Sequence, residues 1–485
     1  MEKGECKKIG IFIIAVFISM CLFFIQVHPL VIWDTDDWLY ISYIRKAIPI
    51  WHNWNPSRVF PEIFMPMCAY LGIKCIMPIT NDYIFSLMII FGIVLSGFIT
   101  IYVLSFYNLA RKKMRMSIGN AIMVSILFLL LHFLIFRCGE NQNTYLFYSP
   151  DVTCYFYYVI PSLLNLTLVM ILESKELTFN SETKVNWLKV GGWVLLIYLA
   201  IFSNLFSSYI ISIWAGSKLF YNLIINKKIK NSKNIIYILI LCAWIVSAIY
   251  ELSGGRAENL KDDSFINNVK QTILYLKQMV GKANRFLVLI SAIFVLGGIF
   301  CFIKKKWNDY EKKNVCINIM CTILSVIFLI LLSAKSQSDY IMRGDVLLGV
   351  SFFAFIILMI NINIIIREYK ITLVIFPLLI VIAFFEIHSG PRTFAESNVS
   401  GIDSIICKNI DEDIIEQIMQ AVNEGQEKME LHIPKTPGDN WPFGTYGANR
   451  FSYSLYEHGI ISRPIETIMI QDVEINIKYG MNYTE

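Results

Sequence analysis

Apolar runs of close to 20 residues recur along most of this chain, separated by short polar stretches. They fall at roughly Ile9 to Ile32, Tyr83 to Phe106, Ile118 to Phe136, Cys154 to Leu172, Leu188 to Phe202, Phe206 to Ile225, Ile235 to Tyr250, Phe286 to Ile303, Val315 to Ser333, Val346 to Ile366 and Ile371 to Ile387. About 20 apolar residues cross the ~30 Å hydrocarbon core of a bilayer as a helix. The pattern therefore predicts an all-α polytopic membrane protein with about eleven transmembrane helices. A further apolar stretch, Val59 to Leu71, is suited to dip back into the membrane. Between Phe265 and Val280 apolar side chains recur at helical spacing among polar ones, as in a helix lying in the interface plane. From Ser389 onward the long runs stop. A helix-like piece, Ile410 to Val422, is followed by Pro434, Pro437-Gly438, Pro442, Gly444 and Gly447, which mark turns. The chain thus divides into a membrane domain, 1–388, and a small C-terminal domain, 389–485, that packs as a cap.

Composition agrees with this reading. Of 485 residues, 56% are hydrophobic and 16% charged, where a soluble protein keeps roughly a quarter charged. Mean hydropathy is +0.56. The net charge of +5 is no nucleic-acid signature, because the basic residues sit in short clusters between apolar runs. About half of all Lys and Arg fall in alternate connections, among them Arg111-Lys-Lys-Met-Arg115, Asn226-Lys-Lys-Ile-Lys230 and Lys304-Lys-Lys306. The positive-inside rule then puts the N-terminus inside. Residues 33–82 and the C-terminal domain come to lie on the extracytoplasmic side. The eleven cysteines form no CxxC pair and no zinc-ligand spacing. Cys68 with Cys75, and Cys138 with Cys154, are near enough in sequence to consider as disulfides, although small apolar side chains near helix ends explain them as well.

Chemistry concentrates just past the first apolar run, in Val31-Ile-Trp-Asp34-Thr-Asp36-Asp37-Trp38-Leu-Tyr40. Carboxylates are costly inside lipid and cheap at its rim. Asp37 at a helix start would meet a favourable dipole. The tryptophans Trp33, Trp38, Trp51 and Trp54 suit the headgroup level. Taken together, the N-terminal helix, an outer loop with Asp36-Asp37 and Tyr40 in the pattern Asp-[Asp/Glu]-x-x-[Tyr/Phe], an interfacial helix and many further helices resemble the GT-C glycosyltransferases. Met342-Arg343-Gly344 looks like the Arg that members carry before a late helix. The specific resemblance covers about 60 N-terminal residues. It differs in having Asp at the second position of the pair and Ser57-Arg58-Val-Phe-Pro61 where many members have Pro-Pro.

The resemblance implies transfer of a sugar from a polyprenyl-phosphate carrier to a cell-surface glycan or polymer acceptor, with membrane lipid as the setting. Asp36 would be the general base, Asp37 would orient the acceptor or help hold a cation, and Asp34 would be a weaker metal or acceptor contact. Mg²⁺ or Mn²⁺ would suit such oxygens where a metal is used. A lipid-phosphate leaving group needs cations, and the outer-face arginines are Arg58, Arg137, Arg256, Arg285, Arg343 and Arg392. Of these, Arg285 and Arg343 lie at predicted helix starts, and Tyr40 and Arg58 complete the expected substrate contacts. Tyr145 to Tyr158 forms an aromatic cluster on which sugars could stack. The plainer alternative is that the aspartates only end the first helix in water. A flippase or transporter, and a polymerase of lipid-linked glycans, are the rival functions. The charge-poor helices speak against a transporter, and the modest Glu251 to Arg285 loop fits a polymerase poorly.

Overall fold

The computed structural model describes residues 3–136, 145–175, 186–225, 232–255, 264–369, 398–399, 402–436 and 442–481. Every apolar run within them is a helix; the run Ile371 to Ile387 lies outside the described residues. Among the described residues eight helices are long and apolar enough to cross a membrane: α1 (Gly4–Val27), α3 (Val59–Thr80), α4 (Tyr83–Lys112), α6 (Val152–Ser174), α9 (Lys233–Leu252), α11 (Arg285–Ile303), α12 (Asp309–Ser336) and α13 (Gly344–Tyr369). Shorter apolar helices are α5 (Ile118–Leu134) and α7 (Trp187–Ile201), and α8 (Leu205–Phe220) follows a tight turn after α7. A short helix α2 (Thr35–Tyr40) lies between α1 and α3. The amphipathic segment forms α10 (Phe265–Gly281), which leaves Phe265, Ile266 and Ile273 exposed.

Caps set the helix ends. Asp82, Ser117, Asp151, Asn204 and Asn284 each accept a backbone N–H in the first turn of the helix that follows, which is how such residues start helices. The dip expected at Val59 to Leu71 is longer than its sequence pattern implies. A π-turn at Gly72–Ile76 carries α3 on to Thr80, where Asn81 ends it at φ 53°. Burial separates two kinds of helix. In α6 89% of the apolar window is buried, against 11% in α9 and 17% in α11. α4, α6 and α13 form the centre of the bundle, and α9 and α11 line its rim with apolar side chains suited to lipid. The described cysteines are all free, Cys68, Cys75 and Cys154 included.

The C-terminal unit contains strand structure that the all-α expectation lacks. β1 (Lys428–Pro434) pairs in parallel with β2 (Glu466–Asp472), Lys428 opposite Glu466 and Leu431 opposite Met469. Helix α14 (Ser404–Asn423) packs on β1, and α15 (Ala448–Glu457), between the strands in sequence, packs on β2. Met429, Leu431 and Ile433 alternate inward along β1, the period of a half-buried strand. This unit seats on the segment around α2. Thr35 N donates to Pro442 O at 3.1 Å. Trp33 meets Phe443, and Trp38 meets Phe451, each at a ring separation of 5.0 Å. Ser42 and Ser454 share a hydrogen bond of 2.7 Å, and Lys408 pairs with Asp82 at 2.7 Å. Trp33 and Trp38 are therefore packing anchors, buried at 1% and 0% exposure, while Trp51 and Trp54 stay exposed.

Candidate active site

α2, the loop 45–58, the starts of α3, α6 and α13, and α15 of the C-terminal unit enclose a cavity of about 860 Å³. Asp36, Tyr40, Arg58 and Arg343 all line it, although they lie up to some 300 residues apart in sequence. Asp34, Asp37 and Arg285 do not line it. Arg285 is an exposed first residue of α11. Arg137, Arg256 and Arg392 lie outside the described residues.

The two members of the acidic pair face different surroundings. Asp36 is half-exposed, and its Oδ1 accepts from Arg450 Nη1 at 2.7 Å. Asp37 is fully buried behind the cavity wall. Its Oδ1 accepts from Thr153 N at 2.6 Å and Thr153 Oγ1 at 2.7 Å. Its Oδ2 accepts from Trp33 N at 3.1 Å and Val152 N at 3.3 Å. Four donors saturate one carboxylate, so Asp37 ties the segment after α1 to the positive N-terminus of α6. This arrangement replaces the acceptor contact expected of it. Asp34 is the N-cap of α2 and accepts from the Asp36 and Asp37 amides, both at 2.7 Å.

Asp34, Asp37 and Asp151 bring carboxylate oxygens within 4.8 Å of one another. Burial, then repulsion from Asp37, Asp151 and Asp36, holds Asp34 well above the ordinary carboxyl range. Burial and Asp151 push Asp37 up to about 8. Burial raises Asp151 to about 6, with Arg343 opposing the rise. Carboxyls this close oppose one another's ionisation, and a proton or a cation among them relieves the repulsion. Their oxygen donors fit a hard divalent cation in kind. Asp37 already accepts four hydrogen bonds. Asp151 has the cavity access that the other two lack.

Four arginine–carboxylate pairs frame the cavity. Arg45 and Glu62 meet at 3.0 Å, with side chains at 0% and 3% exposure. Glu62 also accepts from Asn55 Nδ2 at 2.8 Å and from the Tyr157 hydroxyl at 3.0 Å. Arg45 in turn donates to the carbonyls of Asn55 and Pro56 at 2.6 and 3.1 Å, which fixes the loop that carries Arg58. Arg58 pairs with Glu251 at 3.5 Å and lies 5.3 Å from the Tyr157 ring. Arg343 makes a fork with Asp345 at 3.1 and 2.6 Å and stacks 4.5 Å over Tyr158. Its chain turns into α13 at Gly344, where a Cβ would meet Tyr145 O at 2.3 Å. Arg450, the fourth, also donates to Thr35 O at 3.1 Å and sits 5.1 Å from the Tyr446 ring. Tyr40 accepts from Asn55 Nδ2 at 3.1 Å.

Sequence reasoning missed Glu62, Asp151, Tyr446 and Arg450 as cavity residues. Asp151 carried a signal, since Ser149-Pro150-Asp151 before an apolar run is a helix-start pattern. Arg450 carried none, because only the docking of the C-terminal unit brings it to Asp36. The aromatic cluster is divided: Tyr157 and Tyr158 reach the cavity, while Tyr145, Phe147 and Tyr155 are buried packing. The chain matches no protein-family model, no curated protein and no solved structure.

Proposed function

We propose that this protein is an integral membrane glycosyltransferase of GT-C type. It moves a sugar from a polyprenyl-phosphate carrier to a glycan or polymer acceptor at the extracytoplasmic face. The observation that carries the reading is the convergence of Asp36, Tyr40, Arg58 and Arg343 on one cavity. In this reading the N-terminus is inside, about eleven helices cross the membrane, and the cavity and C-terminal unit face outward. The basic clusters at the opposite helix ends support that orientation.

The acceptor hydroxyl attacks the anomeric carbon, its proton passes to a carboxylate of Asp36, and the electron pair of the breaking bond leaves on the lipid phosphate. A base within reach of the hydroxyl typically contributes 10²–10⁴-fold. Arg58 and Arg343 receive the phosphate charge; Asp345 accounts for two of the five N–H groups on Arg343. Tyr40, Tyr157 and Tyr158 offer ring faces to the sugars. Asp37 acts on the reaction only by fixing α2 against α6. If Mg²⁺ or Mn²⁺ is used, Asp151 and Asp34 would hold it, and the ion would neutralise developing phosphate charge.

The test is sugar transfer by purified protein in lipid, using a labelled polyprenyl-phosphate sugar and surface glycan. Asp36→Asn should lower the rate at least about 100-fold while thermal stability is kept. Undiminished transfer by that variant rules out the catalytic assignment. Labelled lipid that crosses vesicles with its covalent structure intact would instead identify a transporter.

A further inference from the structure

Asp36 is held from outside its own domain. Arg450, in α15 of the C-terminal unit, donates twice from Nη1 to the start of α2: to Asp36 Oδ1 at 2.7 Å and to the Thr35 carbonyl at 3.1 Å. The guanidinium therefore registers on the backbone as well as on the carboxylate. The Tyr446 ring lies 5.1 Å from it. Asp36 Oδ2 has no partner among the described residues, and the side chain is 49% exposed where it lines the cavity. One face of α15 sets the position of Arg450. Gly447, Phe451, Ser454 and His458 recur at helical spacing, and each touches the segment around α2. A Cβ on Gly447 would lie 2.5 Å from Thr35 Cβ. The Phe451 ring packs on Trp38, Ser454 Oγ donates to the Trp38 carbonyl, and His458 Nε2 is 3.2 Å from the Ile41 carbonyl. Arg450 lies at the edge of this same face.

A partly exposed ion pair adds little to stability. What this one adds is direction. A carboxylate that serves as a base must present an oxygen to the reacting hydroxyl, and a third group that holds the base sharpens that geometry. We infer that Arg450 is a positioning residue for Asp36: it binds Oδ1 and leaves Oδ2 turned to the acceptor, so the C-terminal unit completes the active site as well as capping it. On the transferase reading, on which this role rests, the acceptor oxygen bonds to the anomeric carbon and its proton passes to Oδ2. The electron pair of the broken bond leaves on the lipid phosphate. Arg450 acts on these atoms only through Asp36. A second cavity, of about 230 Å³ around Lys218 and Glu173 at the other end of α6, lies about 30 Å of helix away, too far to touch them.

The experiment measures transfer by the full chain in lipid, from labelled polyprenyl-phosphate sugar to surface glycan, for Arg450→Gln, Arg450→Lys, Ser454→Ala and Asp36→Asn. Arg450→Gln should lower kcat at least about tenfold and leave the KM of donor and acceptor within about twofold, the mark of an interaction made in the transition state. Arg450→Lys keeps a charge beside Oδ1 and should recover to within about threefold of wild type. Ser454→Ala weakens the same docking face without touching Asp36 and should keep the wild-type kcat. Amide exchange in α15 reports docking in each variant. Wild-type kcat in Arg450→Gln overturns the assignment. So does an equal loss in Ser454→Ala, which would make Arg450 a docking residue only. Full transfer by Asp36→Asn would defeat the transferase reading itself. Loss there beside wild-type kcat in Arg450→Gln would defeat the role of Arg450 alone.

Discussion

The two cavities at opposite ends of α6 handle charge in opposite ways. At one end, four arginines each have a carboxylate: Arg45 with Glu62, Arg58 with Glu251, Arg343 with Asp345 and Arg450 with Asp36. At the other, among the described residues, five lysines line the space with one glutamate. Arginine forks hold a fixed planar geometry, and lysines are point charges on flexible stems. The first cavity is thus organised before any ligand arrives, as transition-state chemistry requires. The second holds its charges on stems that can move.

The largest effect that tests this contrast lies in the Arg45–Glu62 pair. Glu62→Gln leaves a buried guanidinium without its carboxylate and should cost about 3–5 kcal/mol. The loop from Arg45 to Arg58 should loosen with it, so transfer activity should fall further than the stability loss explains. At the second cavity Lys175, an exposed residue, should tolerate Lys175→Gln within about 0.5 kcal/mol. Thermal unfolding in one detergent measures both. Equal losses in the two variants would erase the distinction between a preorganised and an adaptable cavity.

Much of the bundle was legible because lipid imposes length and polarity on every crossing helix. Tyr83–Lys112 and Arg285–Ile303 begin at or next to the residues where their apolar runs begin. Asp36 and Tyr40 were legible as a motif, Arg58 only as one of six outer-face arginines, and Arg343 as an arginine at a helix start, a signal that Arg285 shared without reaching the cavity. Asp37 was not, since its role depends on Thr153, more than 100 residues away, supplying two donors. β1 and β2 stayed hidden among turn residues because a two-stranded parallel pair needs a partner about 40 residues on and a helix between. Arg450 reaches the cavity only through close packing: a Cβ on Gly447 would lie 2.5 Å from Thr35 Cβ.

A smaller effect concerns the acidic cluster. A carboxyl whose folded pKa exceeds its unfolded value binds its proton more tightly in the fold. The stability this provides is present below about pH 4. It is lost as pH rises through about 6 for Asp151 and about 8 for Asp37. Asn is as good an N-cap as Asp, so Asp151→Asn should keep α6 intact and remove one charge. Relative to wild type it should be unchanged at pH 4 and more stable at pH 8 by on the order of 2 kcal/mol. Melting curves across that range decide the matter, and parallel curves for the two proteins would show that Asp151 ionises without strain. Mg²⁺ should stabilise wild type more than Asp151→Asn if a cation binds at these oxygens.

The smallest effect has the opposite pH sign and lies where the C-terminal unit docks on the membrane domain. His458, 4% exposed, joins the C-terminal unit to the membrane domain. Its Nε2 is 3.2 Å from Ile41 O, which can only accept, so Nε2 carries the proton. Nδ1, 2.7 Å from the Tyr83 hydroxyl, is then the acceptor. Burial lowers this histidine to about 4. The docking energy is therefore complete above about pH 6.5 and declines as pH falls toward 4. At pH 5.5 the loss should be about 1 kcal/mol, seen as faster amide exchange in α15 than at pH 7. His458→Gln can donate to Ile41 and accept from Tyr83 without titrating, so it should flatten the response. Among the described residues no histidine lines the lysine cavity, and amide exchange in α12 beside it should stay level over the same range. If that exchange tracked exchange in α15, the two ends of α6 would be coupled.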